Sequence, residues 1–179
     1  MEKLLLHSCC GPCSSGVLDQ LTPNYIVTVF FYNPNIYPEE EYVKRAEAQH
    51  KYLNQIGVSS VFCDYTPEDY ESMVKGLENE PEGGNRCLEC FRIRLEKTAQ
   101  YAKEKGYDVF TTTLSVSPHK DYIAINKIGK ELEAKYGVKY LEANFKKNDG
   151  YLKSIQNSKL YGIYRQNYCG CKYSMPKQN

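Results

Sequence analysis

The stretch "LLLHSCCGPCSSGVLDQL", residues 4–21, runs from an apolar segment through three cysteines into a second apolar segment with helical spacing. Lys3 to Ser8 read as a strand, and Ser14 or Ser15 as the cap of a helix through Leu21. Adjacent strand residues point to opposite faces, so Cys9 and Cys10 can share one ligand only if the strand has ended. Gly11 and Pro12 supply that turn, the first by tolerating unusual dihedrals and the second by fixing its own. Free N–H groups at the helix start favour negative charge there, so a thiolate at this turn has a lowered pKa.

The pattern repeats outward along the chain. Strands are expected at 25–32, 58–65, 107–113 and 138–145, and helices at 39–57, 67–77, 87–106 and 120–137. Gly57 and Gly106 close two of these helices. Strand–helix alternation of this kind predicts an α/β fold: a mostly parallel five-stranded sheet flanked by helices. The last segment is expected to be helical to about Tyr164 and irregular beyond. No linker or repeat divides the chain, so residues 1–179 are expected to form a single domain. In such a sheet, sites form beyond the carboxyl ends of the strands. Four landmarks fall there: Cys9-Cys10, Asn33-Pro34, Cys63-Asp64 and Thr113 to Ser117.

The totals narrow the class. No apolar run approaches the ~20 residues that span a bilayer. "MEKLLLHSCC" has no cleavage pattern of small residues and reads as a first strand, so a cytoplasmic location is expected. Eight cysteines in 179 residues point to metal or redox chemistry rather than to a secreted disulfide scaffold. The net charge is +1, unevenly spread: residues 1–145 sum to −5 and residues 146–179 to +6. That basic segment holds Tyr151, Tyr161, Tyr164, Tyr168 and Tyr173. Aromatic faces stack on unpaired bases and cations follow the backbone, which keeps RNA in view as a partner. Packing of the same tyrosines on the body explains most of them individually.

Cys10-Gly11-Pro12-Cys13 is the dithiol sequence of thioredoxin, so the motif alone serves a nucleophile and a metal ligand equally. Cys87 and Cys90 shift the balance. They are three apart at the start of a long helix and face the same side. Two thiolates from the first turn and two from this helix make four soft ligands, suited to tetrahedral zinc or to a [4Fe–4S] cluster. Cys13 is a further ligand or a neighbour, and Cys63 a core residue. Asp64 is placed to bind iron or deliver a proton. A disulfide between Cys169 and Cys171 would close a very small ring outside relaxed geometry, and strained disulfides are easily reduced. This pair reads as a redox couple, with extra metal ligands or free tail thiols as the alternatives.

Taken together, "HSCCGPCS", "FCDY", "EPEGGNRCLECFRIRLEKTA", "TTTLSVSPHKD" and "YCGCKYS" resemble the QueH-type epoxyqueuosine reductases, in order and across almost the whole chain. The resemblance implies an adenine-nucleotide-hydrolase-like (HUP) fold in which cysteines replace the Gly-rich pyrophosphate loop. It implies removal of the epoxide oxygen of epoxyqueuosine, at the wobble position of a tRNA anticodon stem-loop, as water. It carries cluster-ligand roles to Cys9, Cys10, Cys87 and Cys90, with an additional iron left open, and a redox-active disulfide to Cys169 and Cys171. Asp64, Tyr65 and His119 are the expected proton donors, and Lys120 and Arg86 the expected phosphate contacts. The electron donor is not identified. Competing expectations are a zinc-thiolate RNA-binding module, a thiol–disulfide oxidoreductase using Cys10 and Cys13, and an ATP-dependent enzyme of the same fold. The missing phosphate loop counts against the last.

Overall fold

The computed structural model describes residues 1–142, 144–145 and 149–176. Its strands are β1 (Glu2–His7), β2 (Tyr25–Phe31), β3 (Ser59–Phe62), β4 (Val109–Thr112) and β5 (Lys139–Tyr140). All pair in parallel, in the order β3-β2-β1-β4-β5. The helices are α1 (Gly11–Ser15), α2 (Leu18–Leu21), α3 (Glu39–Ile56), α4 (Pro67–Val74), α5 (Asn85–Lys105), α6 (Tyr122–Tyr136) and α7 (Gly150–Tyr161).

The continuous apolar run of β1 reflects burial on both faces. Leu5 packs with Phe30, Phe110, Leu95, Ala99 and Ile128 on the side covered by α5 and α6. Leu4 and Leu6 pack with Val27, Val29, Leu18, Leu53 and Ile163 on the other. The expected C-caps are in place: Gly57 and Gly106 adopt left-handed dihedrals, and Gly137 does the same at the end of α6. Asp121 caps α6, accepting from the N–H groups of Ile123 and Ala124.

Several elements differ from the sequence expectation, among them the third strand, which covers Ser59–Phe62 of the expected 58–65. The first helix begins at Gly11, not Ser14, and breaks at Gly16. Pro12 suits a first-turn position. Ser14 and Ser15 do not cap; their hydroxyls donate back to the Gly11 and Pro12 carbonyls. The fifth strand shrinks to Lys139–Tyr140, because the Thr111 hydroxyl takes the Leu141 carbonyl that a longer ladder would use. Ala143, within the expected strand, lies outside the described residues. The fourth helix stops at Val74 and the last at Tyr161, where left-handed Gly162 ends it. Lys146, Lys147, Asn148 and 177–179 of the basic segment also lie outside the described residues.

Gly16 matters because α7 crosses it closely. A Cβ there would collide with the Gly150 carbonyl. Gly16→Ala is expected to cost about 1–3 kcal/mol of stability, the range for overpacking a fitted contact, measured by denaturant unfolding. An unchanged midpoint would mean that α7 is not held against the cysteine turn.

Candidate metal centre

In this strand order β1 and β4 are neighbours whose connections leave in opposite directions, and ligands bind at such a switch point. The cysteine turn follows β1, and residues 113–121 follow β4. A cavity of about 700 Å³ opens there, and every cysteine except Cys63 lines it. All eight cysteines are free thiols.

The turn is fixed by a buried polar network. Gln49 donates to the hydroxyls of Ser8 (2.6 Å) and Ser14 (3.1 Å). Ser8 donates to the Cys10 carbonyl at 3.0 Å, and Asn33 to the Ser8 carbonyl at 2.9 Å. His7 lies beneath, its Nε2 3.0 Å from the Tyr32 carbonyl and its Nδ1 3.0 Å from the Thr112 hydroxyl. Burial, aided by the Arg94 charge, lowers its pKa to about 4, so it is neutral. A carbonyl only accepts, so Nε2 carries the proton and the Thr112 hydroxyl donates to Nδ1.

Extended backbone at Cys10 and the start of α1 bring Cys9, Cys10 and Cys13 together, their sulfurs all within 4.8 Å of one another. Cys9 and Cys10 are 3.8 Å apart. Hydrogen bonds from the Cys10 and Cys13 thiols hold the Cys9 thiol well below its ordinary pKa, aided by Lys120 and Thr113. For Cys10, the Cys13 hydrogen bond pulls the other way, but the adjacent Cys9 charge and burial push it up to about 12. Hydrogen bonds to Cys10 and Cys9, with burial, raise Cys13. Within the trio, Cys9 is thus the sulfur favoured as a thiolate, and Cys10 and Cys13 are held toward the thiol form.

Cys87 and Cys90 line the same cavity from α5 but lie outside that close group. Cys87 accepts from the Gly83 N–H at 3.2 Å. Cys90 is buried against Tyr70, Val74 and Cys171, and burial raises it to about 11. Two sulfurs on one zinc, at ~2.3 Å each, are at most ~4.6 Å apart. The first three sulfurs thus approach what a single ion requires. A group held by both sets must contain several metal atoms, and thiolate donors suit one.

The other expected residues divide. His119 and Lys120 line the cavity. Burial works against the Lys120 charge, yet the sulfurs of Cys169, Cys9 and Cys13 outweigh it and raise its pKa. Asp64 is exposed and away from the cavity wall, and Tyr65 is occupied by the Ile36 carbonyl. The reason is strand order: β3 is the sheet edge, two strands from the switch point. Arg86 is no phosphate contact: buried, it donates to the carbonyls of Leu77, Glu78 and Glu80 and stacks on Tyr173. Four of the five segment tyrosines pack on the body: Tyr161 on Tyr52, Tyr164 on Glu41, Tyr168 on Tyr37 and Tyr173 under Arg86. Tyr151 stays at the cavity rim.

Two arginines carry weight that the sequence did not assign. Arg94 is 2% exposed, with Nη1 on Asn33 Oδ1 (3.3 Å) and Nε on the Cys90 carbonyl (3.2 Å). Its Nη2 has no hydrogen-bond partner, and no carboxylate pairs with it among the described residues. Arg94 follows Cys87 and Cys90 at helical spacing, a stripe that could have flagged it. Arg45, also 2% exposed, reaches the C-terminal segment.

The model of the family described as "Epoxyqueuosine reductase QueH" matches residues 4–177. The chain belongs to the QueH family. The epoxyqueuosine reductase QueH of Streptococcus pyogenes serotype M1 is 44% identical over 182 residues, which cover 98% of this chain and 71% of that protein. The QueH of Thermotoga maritima is 42% identical over 181 residues, 98% of this chain and 91% of the relative. As a QueH protein the chain is an oxidoreductase that reduces epoxyqueuosine. Among solved structures, the U34-tRNA thiolase NcsA from Methanococcus maripaludis, described with its [4Fe-4S] cluster, superposes with a TM-score of 0.58 at 14% identity. The match covers 98% of this QueH chain and 62% of NcsA, and bears out the HUP-like sheet. No helix among the described residues is long and apolar enough to cross a membrane.

Proposed function

We propose that the cavity holds an iron–sulfur centre on Cys9, Cys10, Cys87 and Cys90, and there deoxygenates the epoxide of epoxyqueuosine in a tRNA anticodon, in the cytoplasm. The observation that carries this reading is the gathering of seven of the eight cysteines around one cavity. When bound, the centre supplies single-electron transfer and a Lewis-acidic iron for the epoxide oxygen.

The chain's own residues do the rest. Loss of the oxygen as water consumes two electrons and two protons. The thiols of Cys169 and Cys171 supply both on closing to a disulfide. His119 and Lys120, at the cavity wall, replace Asp64 and Tyr65 as candidates to pass a proton to the leaving oxygen. Tyr151 and Arg165 at the rim offer a ring and a charge to the anticodon loop. The close Cys9, Cys10 and Cys13 trio also favours a second arrangement, in which one ion, an additional iron or a zinc, shares those three sulfurs.

Anaerobic purification followed by iron, sulfide and zinc analysis tests the centre. Brown protein with iron and sulfide supports it, and colourless active protein sinks it. Cys169→Ser is expected to slow turnover about tenfold or more, the first turnover included, because a single thiol cannot close the disulfide that releases the electron pair. Full multiple-turnover activity in that variant would remove the dithiol from the reaction.

A further inference from the structure

We propose that the Cys169–Cys171 pair is polarised: Cys169 is the sulfur at which an external thiol reductant enters, and Cys171 is the buried sulfur that it expels. The inference rests on the redox role proposed above and adds the direction of electron entry and the chemical class of the donor.

The two thiols differ sharply in surroundings. Cys169 is exposed, whereas Cys171 is 8% exposed and packs with Cys90, Tyr70 and Val74. The backbone between them is pinned, so they cannot trade places. Arg45 donates from Nη1 to the Cys169 carbonyl (2.9 Å) and from Nη2 to the Tyr168 carbonyl (3.0 Å). Its Nε is held by Glu41 at 2.9 Å. The Tyr37 N–H donates to the Gly170 carbonyl at 2.8 Å, and the Ser174 N–H to that of Cys171 at 3.1 Å. Gly170 has φ +138°, and a Cβ there would stand 3.0 Å from Arg45 Nη1. That φ lies where L side chains are strained, so glycine suits the bend between the exposed and the buried cysteine.

Thiol–disulfide exchange proceeds by attack on one sulfur while the other leaves, and access selects which. An external thiolate attacks Cys169, forms a mixed disulfide there, and expels Cys171 as a thiolate. A second thiol of the reductant then attacks its partner sulfur and frees Cys169. The balance is one enzyme disulfide and two reductant thiols in, two enzyme thiols and one reductant disulfide out. Two electrons and two protons are thereby stored, the number that the epoxide consumes.

The test uses the full chain with its centre loaded anaerobically and the pair oxidised with diamide. Glutathione is added, the reaction is quenched with acid, and the tryptic peptide 166–172, which contains both cysteines, is fragmented by mass spectrometry. Glutathione is expected on Cys169 in at least tenfold excess. Equal labelling, preference for Cys171, or no disulfide in the peptide after oxidation overturns the proposal. Glutathione disulfide should likewise modify Cys171→Ser at least tenfold faster than Cys169→Ser, and Arg45→Lys should bring the labelling ratio toward one. Dithiothreitol and a Cys-x-x-Cys dithiol protein, compared as reductants, separate the sources: faster reduction by the protein assigns a protein donor, and similar rates a small thiol. Reduction by none overturns the thiol class. Because labelling needs no substrate, these outcomes stand apart from loss of the relay, which turnover of Cys169→Ser reports.

Discussion

Cys10→Ala is expected to yield a folded protein that retains at least 100-fold less iron per chain at limiting metal, with turnover lost in proportion. Cys10 sits at the start of α1 but makes no side-chain capping bond, so its loss leaves the helix start intact. It is buried at 1% exposure within the cluster that includes Leu5 and Phe30, and removing one sulfur from that packing costs about 1 kcal/mol. The metal site bears a heavier loss. Losing an outer-shell partner of a ligand already costs about 10–100-fold in affinity, and a ligand itself costs more. Cys9 also loses one of the hydrogen bonds that lower its pKa. Circular dichroism and denaturant unfolding check the fold; iron, sulfide and visible absorbance check the centre. Wild-type iron content with wild-type turnover would show that Cys10 holds nothing.

The sheet was legible because its signals are local. Leu4 to Leu6, buried on both faces, gave an unbroken apolar run, and Gly57 and Gly106 marked helix ends by a conformation that side chains resist. The cysteines were legible as chemistry before they were legible as geometry. Their clustering at one rim follows from the β1–β4 adjacency, which no local pattern encodes. That same strand order explains why Asp64, promising in sequence, ends far from the switch point. The arginines failed for a related reason. Arg45 meets carbonyls 123 and 124 residues away, and Arg94 meets Asn33 61 residues away. In sequence each is one more surface-type residue. The break after α1 was hidden because Gly16 answers to Gly150, on a helix at the other end of the chain.

Arg94→Met is expected to separate the stability of the apoprotein from that of the loaded protein. A buried guanidinium must be paired or it costs several kcal/mol in desolvation. Arg94 has two uncharged acceptors, and no carboxylate pairs with it among the described residues. Burial opposes its charge, and the sulfurs of Cys90, Cys169 and Cys9 more than restore it, raising its pKa. Its counter-charge is therefore the thiolate site itself. Replacing a buried charge by an apolar side chain of similar length is often neutral or stabilising by about 1–4 kcal/mol, so the apoprotein should melt at an equal or higher temperature. The loaded protein behaves oppositely, because an anionic thiolate centre loses the cation beside it. A 100-fold loss of metal affinity removes about 2.7 kcal/mol of stabilisation, so the gap in melting temperature between loaded and apo forms should narrow by several degrees. The reduction potential of the centre should fall as well, since a nearby positive charge favours the more negative, reduced form. Arg94→Lys keeps the charge without the planar fork, and should restore the potential further than it restores turnover. If Arg94→Met instead destabilises both forms by the same 3–5 kcal/mol and leaves the potential unmoved, the arginine is a structural cross-brace between α5 and the β2 loop, and the thiolate site has no built-in cation there.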